Sequence, residues 1–273
     1  MKTGVRDLMR VLALSVLVVV PFVLRDYGLF IATELLVWAL FAVSLDLLLG
    51  YTGLPSFGHA VFFGLPAYAL GIMLVRQDSF ALALFAGYAA VLVAAAVIGY
   101  FALRTGGTGY IIVTLLASFA LFTLALTVTG VTGGEDGLSI PRVKSFSALS
   151  PREAYAIVAV VTLTMYLLAR MLVRSSVGHL LLAIKGNEQR VQALGYNVDS
   201  AKLLVTLVSA FIAGTAGMLY VLLTRTLSAE LVGPALSTEV VIWVLLGGVQ
   251  TLFGPIVGAA AFMTLKQLLS ATT

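Results

Sequence analysis

Apolar residues run along this chain in long unbroken blocks rather than in alternation or narrow stripes. The blocks cover roughly Gly28–Leu49, Val61–Val75, Phe80–Leu103, Tyr110–Val131, Ala154–Val173, Leu203–Thr224 and Glu239–Leu265. Between them lie the polar pieces Arg76–Ser79, Arg104–Gly109, Thr132–Glu153, Arg174–Lys202 and Arg225–Thr238. A membrane-crossing helix needs about 20 mostly apolar residues, and blocks apolar on every side predict such helices. A further run, Val11–Leu24, follows the basic start Lys2, Arg6 and Arg10 and has the length of a signal-peptide core. No small-x-small cleavage site follows it, and Val23, Leu24, Arg25 and Asp26 come instead, which favours an uncleaved first helix. The last block is interrupted by Gly247, Gly248, Gly254 and Pro255, so it reads as one tilted helix or two shorter pieces. The expectation is an all-α polytopic membrane protein, a bundle of about eight transmembrane helices (eight to ten), with residues 1–273 forming a single transmembrane domain.

Composition narrows the class. Hydrophobic residues make up 61% of the chain and charged ones 10%, with a mean hydropathy of +1.10. A soluble domain carries about a quarter charged residues, so a cytosolic enzyme, a disordered chain and a nucleic-acid binder are excluded. Cysteine is absent, which removes disulfides, thiolate metal sites and thiol nucleophiles. The net charge of +4 reflects topology, because cytoplasmic loops collect Lys and Arg. With the N-terminus inside and spans alternating, Lys2, Arg6, Arg10, Arg104, Arg170, Arg174, Lys185, Arg190, Lys202 and Lys266 fall inside. Arg25, Arg76, Arg142, Lys144, Arg152 and Arg225 fall outside. That bias predicts both termini in the cytoplasm.

Three segments depart from the helical blocks. In Gly50-Tyr-Thr-Gly-Leu-Pro-Ser-Phe-Gly-His-Ala60, glycines and a proline interrupt the helix without any charge to hold the segment in water. Irregular backbone at membrane depth is tolerated when buried in protein or lining a wet cavity. A broken or re-entrant helix lining a translocation path, through Tyr51, Thr52, Gly53, Ser56, Phe57 and Gly58, is one reading. An ordinary tight loop is the other. His59 reads as a capping or loop histidine.

The second segment, Thr132 to Pro141, is an outward turn in which Gly133, Gly134 and Gly137 flank Glu135 and Asp136. Its amides would suit a ligand or docking protein, and a solvated turn explains it nearly as well. Two adjacent acids without further oxygen ligands do not make a cation site. The third lies in the inner stretch of about 174–202. Asn187 can cap a helix, Glu188 favours its positive end, Val191 and Leu194 share a face, and Gly195 suits a left-handed stop. This short surface helix, with Gln189, Arg190 and Ala193 on it, either lies on headgroups or inserts into a groove of a cytoplasmic partner.

Glu34, Asp46 and Glu239 fall near span ends, where structural pairing or capping is expected. The small residues Gly64, Pro66, Ala67 and Gly214, Thr215, Ala216, Gly217 suit close helix packing. There is no phosphate-binding Gly-x-x-x-x-Gly-Lys loop, no Gly-x-Ser-x-Gly and no His-Glu-x-x-His, so no catalytic, nucleotide or metal site is expected in this chain.

Taken together, Leu45–Ala60, Thr132-Gly-Gly-Glu-Asp-Gly-Leu138, Ala183–Tyr196 and Leu245-Leu-Gly-Gly-Val-Gln-Thr-Leu-Phe-Gly-Pro-Ile-Val-Gly258 resemble, in order, the signatures of branched-chain amino acid ABC transporter permeases of the LivM type. The resemblance implies an importer subunit in the inner (plasma) membrane, working with a homologous second permease. Two ABC ATPases that hold ATP and Mg, and an extracytoplasmic binding protein, would complete it. It implies that Asn187–Gly195 is the coupling element in an ATPase groove, with Glu188, Ala193 and Gly195 on the family's Glu-Ala-Ala-x-x-x-Gly-like loop; Gln189 stands where that loop often has a small residue. Branched-chain amino acids are the implied solute, with urea, short amides or small aromatic acids as alternatives. An ATP-independent secondary transporter and a non-transporting scaffold are the rival classes. The shared Gly…Phe-Gly ending of Gly53–Gly58 and Gly248–Gly254 hints at an internal repeat compatible with either transporter class.

Overall fold

A computed structural model describes residues 19–76, 79–140 and 149–270. Most of the expected first run (residues 11–18) and the basic residues Lys2, Arg6, Arg10, Arg142 and Lys144 lie outside the described residues. Helix α1 spans Asp26–Thr52, α2 His59–Arg76, α3 Phe80–Arg104, α4 Gly106–Thr127 and the short α5 Thr129–Thr132. They are followed by α6 Pro151–Arg174, α7 Ser176–Gly186, α8 Glu188–Ala193, α9 Val198–Thr224, α10 Pro234–Gly247 and α11 Gly254–Ser270. Among the described residues, α1, α2, α3, α4, α6 and α9 are long and apolar enough to cross a membrane.

These six sort into two layers. The most apolar stretches of α1, α2 and α9 are 61%, 67% and 72% buried inside the protein, whereas those of α3, α4 and α6 are 22%, 22% and 17% buried. The outer three are also the more hydrophobic: α1, α2 and α9 form the centre, and α3, α4 and α6 lie around them with few side chains fully buried. Small residues let the central helices approach closely, as expected. A β-carbon on Gly217 of α9 would overlap the backbone carbonyl of Phe63 in α2, and one on Gly64 would meet the carbonyl of Leu231. Around this contact Trp38 stacks on Phe63 with centroids 5.2 Å apart, and Tyr220 and Trp243 close on the same indole at 5.0 and 5.6 Å.

At one end of the bundle Leu138–Ser139 pairs antiparallel with Thr226–Leu227, tying the Gly133–Gly137 turn to the exit of α9. The opposite end, which carries Gly50 and Lys185, is called the lower end below. From Thr226 the chain runs down along α2: Leu227 reaches Gly71, Leu231 reaches Gly64, and the Ser237 hydroxyl accepts the Ala60 amide at 2.9 Å. A 3-10 turn, Ala229–Val232, occupies this dip, and its Val232 carbonyl is bonded by Ser118 of α4 at 2.7 Å. The final apolar run is two helices. α10 and α11, 14 and 17 residues long, measure about 21 and 25 Å, short of the roughly 30 Å hydrocarbon core. They form an antiparallel hairpin, crossing where Gly247 faces Gly254 and Gly258 faces the Trp243 carbonyl, with Glu239 3.9 Å from Lys266. Its turn sits at the lower end, so α11 carries the chain away from that end. Of the two readings of this run, one tilted helix or two shorter pieces, the structure has the two pieces.

Candidate functional site

The lower end gathers three pieces that are far apart in sequence: the break after α1, the α10–α11 turn, and the α7–α8 elbow. Helix α1 runs through Tyr51 and Thr52, further than its apolar run predicts, because Gly53 takes the left-handed stop at φ 71° and Leu54 donates back to the Leu48 carbonyl. The break proper is residues 53–58. Of the expected path residues, Tyr51, Thr52, Ser56 and Gly58 are buried, Phe57 is half-buried, and Gly53 is exposed. In this conformation most of the segment packs against protein rather than lining an opening. Gly58 is pressed against α4, where a β-carbon would overlap the Thr114 carbonyl. Ser56 Oγ is fully buried without a hydrogen-bond partner. His59 opens α2 in the core, sharing a 2.8 Å bond with the Ser44 hydroxyl and stacking on Phe41. Its ring thus bonds across to α1 rather than capping its own helix.

The α10–α11 turn carries Gln250 and Leu252 at φ 67° and 57°, a left-handed backbone that costs a non-glycine residue about 1–2 kcal/mol. Asp46 holds it there. The carboxylate is fully buried on α1 and accepts the Gln250 amide at 2.7 Å through Oδ1 and the Leu252 amide at 3.0 Å through Oδ2. The Tyr51 hydroxyl donates to the Gln250 carbonyl at 3.1 Å. Gly50 has no room for a side chain, since a β-carbon would run into Asp46 and the Gln250 amide. The expected structural role of Asp46 is observed, as is that of Glu34, which accepts the Trp38 indole N–H at 3.1 Å.

The elbow behaves largely as its local signals predict. Asn187 Oδ1 accepts the Arg190 amide at 2.9 Å, Glu188 opens the helix, and Gly195 sits at φ 86°. Gln189, Arg190, Ala193 and Gly195 are exposed. Leu194 departs from expectation: it follows the six-residue α8 instead of sharing its buried face, and is 71% exposed while Val191 is buried. Sequence reasoning also missed α7, whose buried Gly178, Leu181 and Ile184 turn the first part of the polar stretch into a packed helix. Two contacts tie the elbow to the bundle. Lys202 in the first turns of α9 pairs with Glu188 at 2.6 Å, and Lys185 Nζ donates to the Gly50 carbonyl at 2.7 Å and to Gln250 Oε1 at 3.3 Å.

At the other end, Gly133, Gly134 and Gly137 adopt positive φ, and Glu135 and Asp136 are exposed on the turn. Among the described residues no group of His, Cys, Asp and Glu side chains is arranged to hold a metal ion.

Residues 27–273 match the family described as branched-chain amino acid transport system, permease component. The chain is 26% identical to the high-affinity branched-chain amino acid transport system permease protein LivM of Salmonella typhimurium, and equally to that of Escherichia coli. Each alignment covers 97% of this chain and 69% of the relative. No solved structure matches it. With its buried three-helix centre, its two interrupted segments and its capped elbow, the chain belongs to the branched-chain amino acid transport system permease family.

Proposed function

We propose that this chain is one permease subunit of an ATP-driven importer, moving branched-chain amino acids through a path made with a second, homologous permease. The α8 elbow is its contact with an ABC ATPase, and an extracytoplasmic binding protein delivers the solute at the Gly133–Gly137 end. The lower end then faces the cytoplasm, and the protein sits in the inner (plasma) membrane. Nucleotide and magnesium belong to the partner subunits, in keeping with the missing phosphate loop.

The observation that carries this reading is the elbow itself. A short helix capped at both ends and exposed on its outer face is fastened to α9, the most buried of the six long helices, by a 2.6 Å ion pair. A push on such a helix reaches the bundle centre without passing through a flexible loop. Alternation between outward- and inward-open states then needs only that bound nucleotide favours one of two arrangements. Tyr51, Thr52 and Ser56 would offer a zwitterion modest polarity once that change uncovers them.

The test is to purify the chain from detergent with whatever accompanies it and to measure hydrolysis in proteoliposomes. ATPases, a second permease and stimulation of hydrolysis by leucine, isoleucine or valine are expected. Stimulation by urea, short amides or small aromatic acids instead would move the solute, and purification alone with uptake independent of ATP would reject the importer. Glu188→Lys, which faces Lys202 with a like charge, should abolish uptake while leaving the protein inserted.

A further inference from the structure

Lys185 is the last basic residue before α8, and its side chain turns inward to the bundle rather than out along α8. It lies along Gly53, where a β-carbon would come within 3.3 Å of its Cγ, and its ammonium group ends among Gly50 and Gln250. The Gly50 carbonyl belongs to the last turn of α1 and Gln250 Oε1 to the α10–α11 turn, so one side chain bridges three separate pieces of backbone. The turn is also held by the buried Asp46 carboxylate, which accepts the amides of its two left-handed residues, and by the Thr251 hydroxyl, which donates to the Gly248 carbonyl and accepts the Gly254 amide. The left-handed backbone of Gln250 and Leu252 carries strain that these hydrogen bonds offset.

We propose that Lys185 is a positioning residue for transport, handing displacement of the 187–195 elbow to the 248–253 turn, while Asp46 is the fixed pivot of that turn. The turn is then the inner gate: it is bonded to Tyr51 in the last turn of α1, just before the 53–58 break. The route through Glu188 and Lys202 moves α9, and the route through Lys185 moves the gate. The inference rests on the importer reading above, since it needs an ATPase to push the elbow. Hydrolysis by the ATPases does not need Lys185, whereas use of that hydrolysis does.

The chain has no cysteine, so Val249→Cys introduces a single reporter in the turn. In proteoliposomes containing the co-purified complex, its labelling by a membrane-impermeant maleimide is followed with and without vanadate trapping of nucleotide. Trapping should change the labelling rate roughly tenfold, the ordinary size of a coupling between sites. Lys185→Met should remove that change and lower uptake by a similar factor while hydrolysis stays within about twofold, and Lys185→Arg should restore both. Gln250→Leu, which deletes the same contact from the other side, is run in parallel so that poor insertion of one variant does not decide the matter. Labelling that responds to trapping equally with Met at 185, or that never responds although the parent takes up solute with ATP, overturns the gate. A parent with no ATP-dependent uptake overturns the importer reading instead.

Discussion

The two interruptions of the bundle share a frame and differ in what holds them. Each begins at a glycine with positive φ, Gly53 at 71° and Gly248 at 96°, and each ends in Phe-Gly, at Phe57-Gly58 and Phe253-Gly254. The first is held by packing: Gly58 is wedged on the α4 backbone, Leu54 packs with Ala102 and Tyr110, and the one hydroxyl within it, on Ser56, is buried without a partner. The second is packed too, where Gly247 meets Gly254, and adds polar grips: a carboxylate from α1 holds two of its amides, and a lysine from the elbow reaches its glutamine. Packing of backbone on backbone has one solution and resists movement. A grip by one carboxylate and one long cation can be shifted by moving either partner. The same sequence frame thus yields a packed wall in one place and, in the other, a turn whose hold includes a carboxylate and a long cation.

The largest test of that contrast is Asp46→Ala. It leaves the Gln250 and Leu252 amides without an acceptor, each at about 1–3 kcal/mol, and so should lower the melting temperature in detergent by on the order of 10 °C. A shift near zero would mean that the turn keeps its shape unaided. Next is Gly58→Ala, which forces α2 and α4 apart and should cost about 1–3 kcal/mol; unchanged stability would show the wall to be soft. Gly53→Ala should cost about 1 kcal/mol, from its left-handed backbone and a tight approach to Lys185, read as a drop of a few degrees. Smallest is Ser56→Ala. Because its hydroxyl is buried and unpaired, removal should be neutral or stabilising by up to about 1 kcal/mol. Marked destabilisation there would mean that the hydroxyl is satisfied by something bound in the membrane.

How far each interruption could be read from sequence follows from the range of the forces involved. The six long helices were legible because an apolar block of sufficient length has one outcome in lipid, and the Asn187–Gly195 elbow because caps and stops are local. Which of those helices are central showed only as a small difference in hydropathy, the outer three being the more apolar, because lipid and protein neighbours both select apolar side chains. The glycine breaks were visible as breaks, but their surroundings come from far along the chain: Tyr51 meets Gln250, Gly58 meets Thr114 and Ala60 meets Ser237. Asp46 and Gln250 are 204 positions apart, and Lys185 and Gly50 135, so no periodicity joins them. Asp46 itself did carry a signal, as an acid near a span end that needed a partner. Leu194 was misread because three-residue spacing implies a shared face only while the helix lasts, and this one ends at Ala193.

Everything proposed about function rests on the elbow facing the cytoplasm and being gripped there. Ala193 is exposed on it, and Ala193→Cys gives a cysteine-free chain one reporter at that point. The account predicts that an impermeant maleimide labels this position in inside-out vesicles but not in right-side-out ones, and that the co-purified ATPases protect it. Labelling from the outer side, or labelling unaffected by the ATPases, would contradict it.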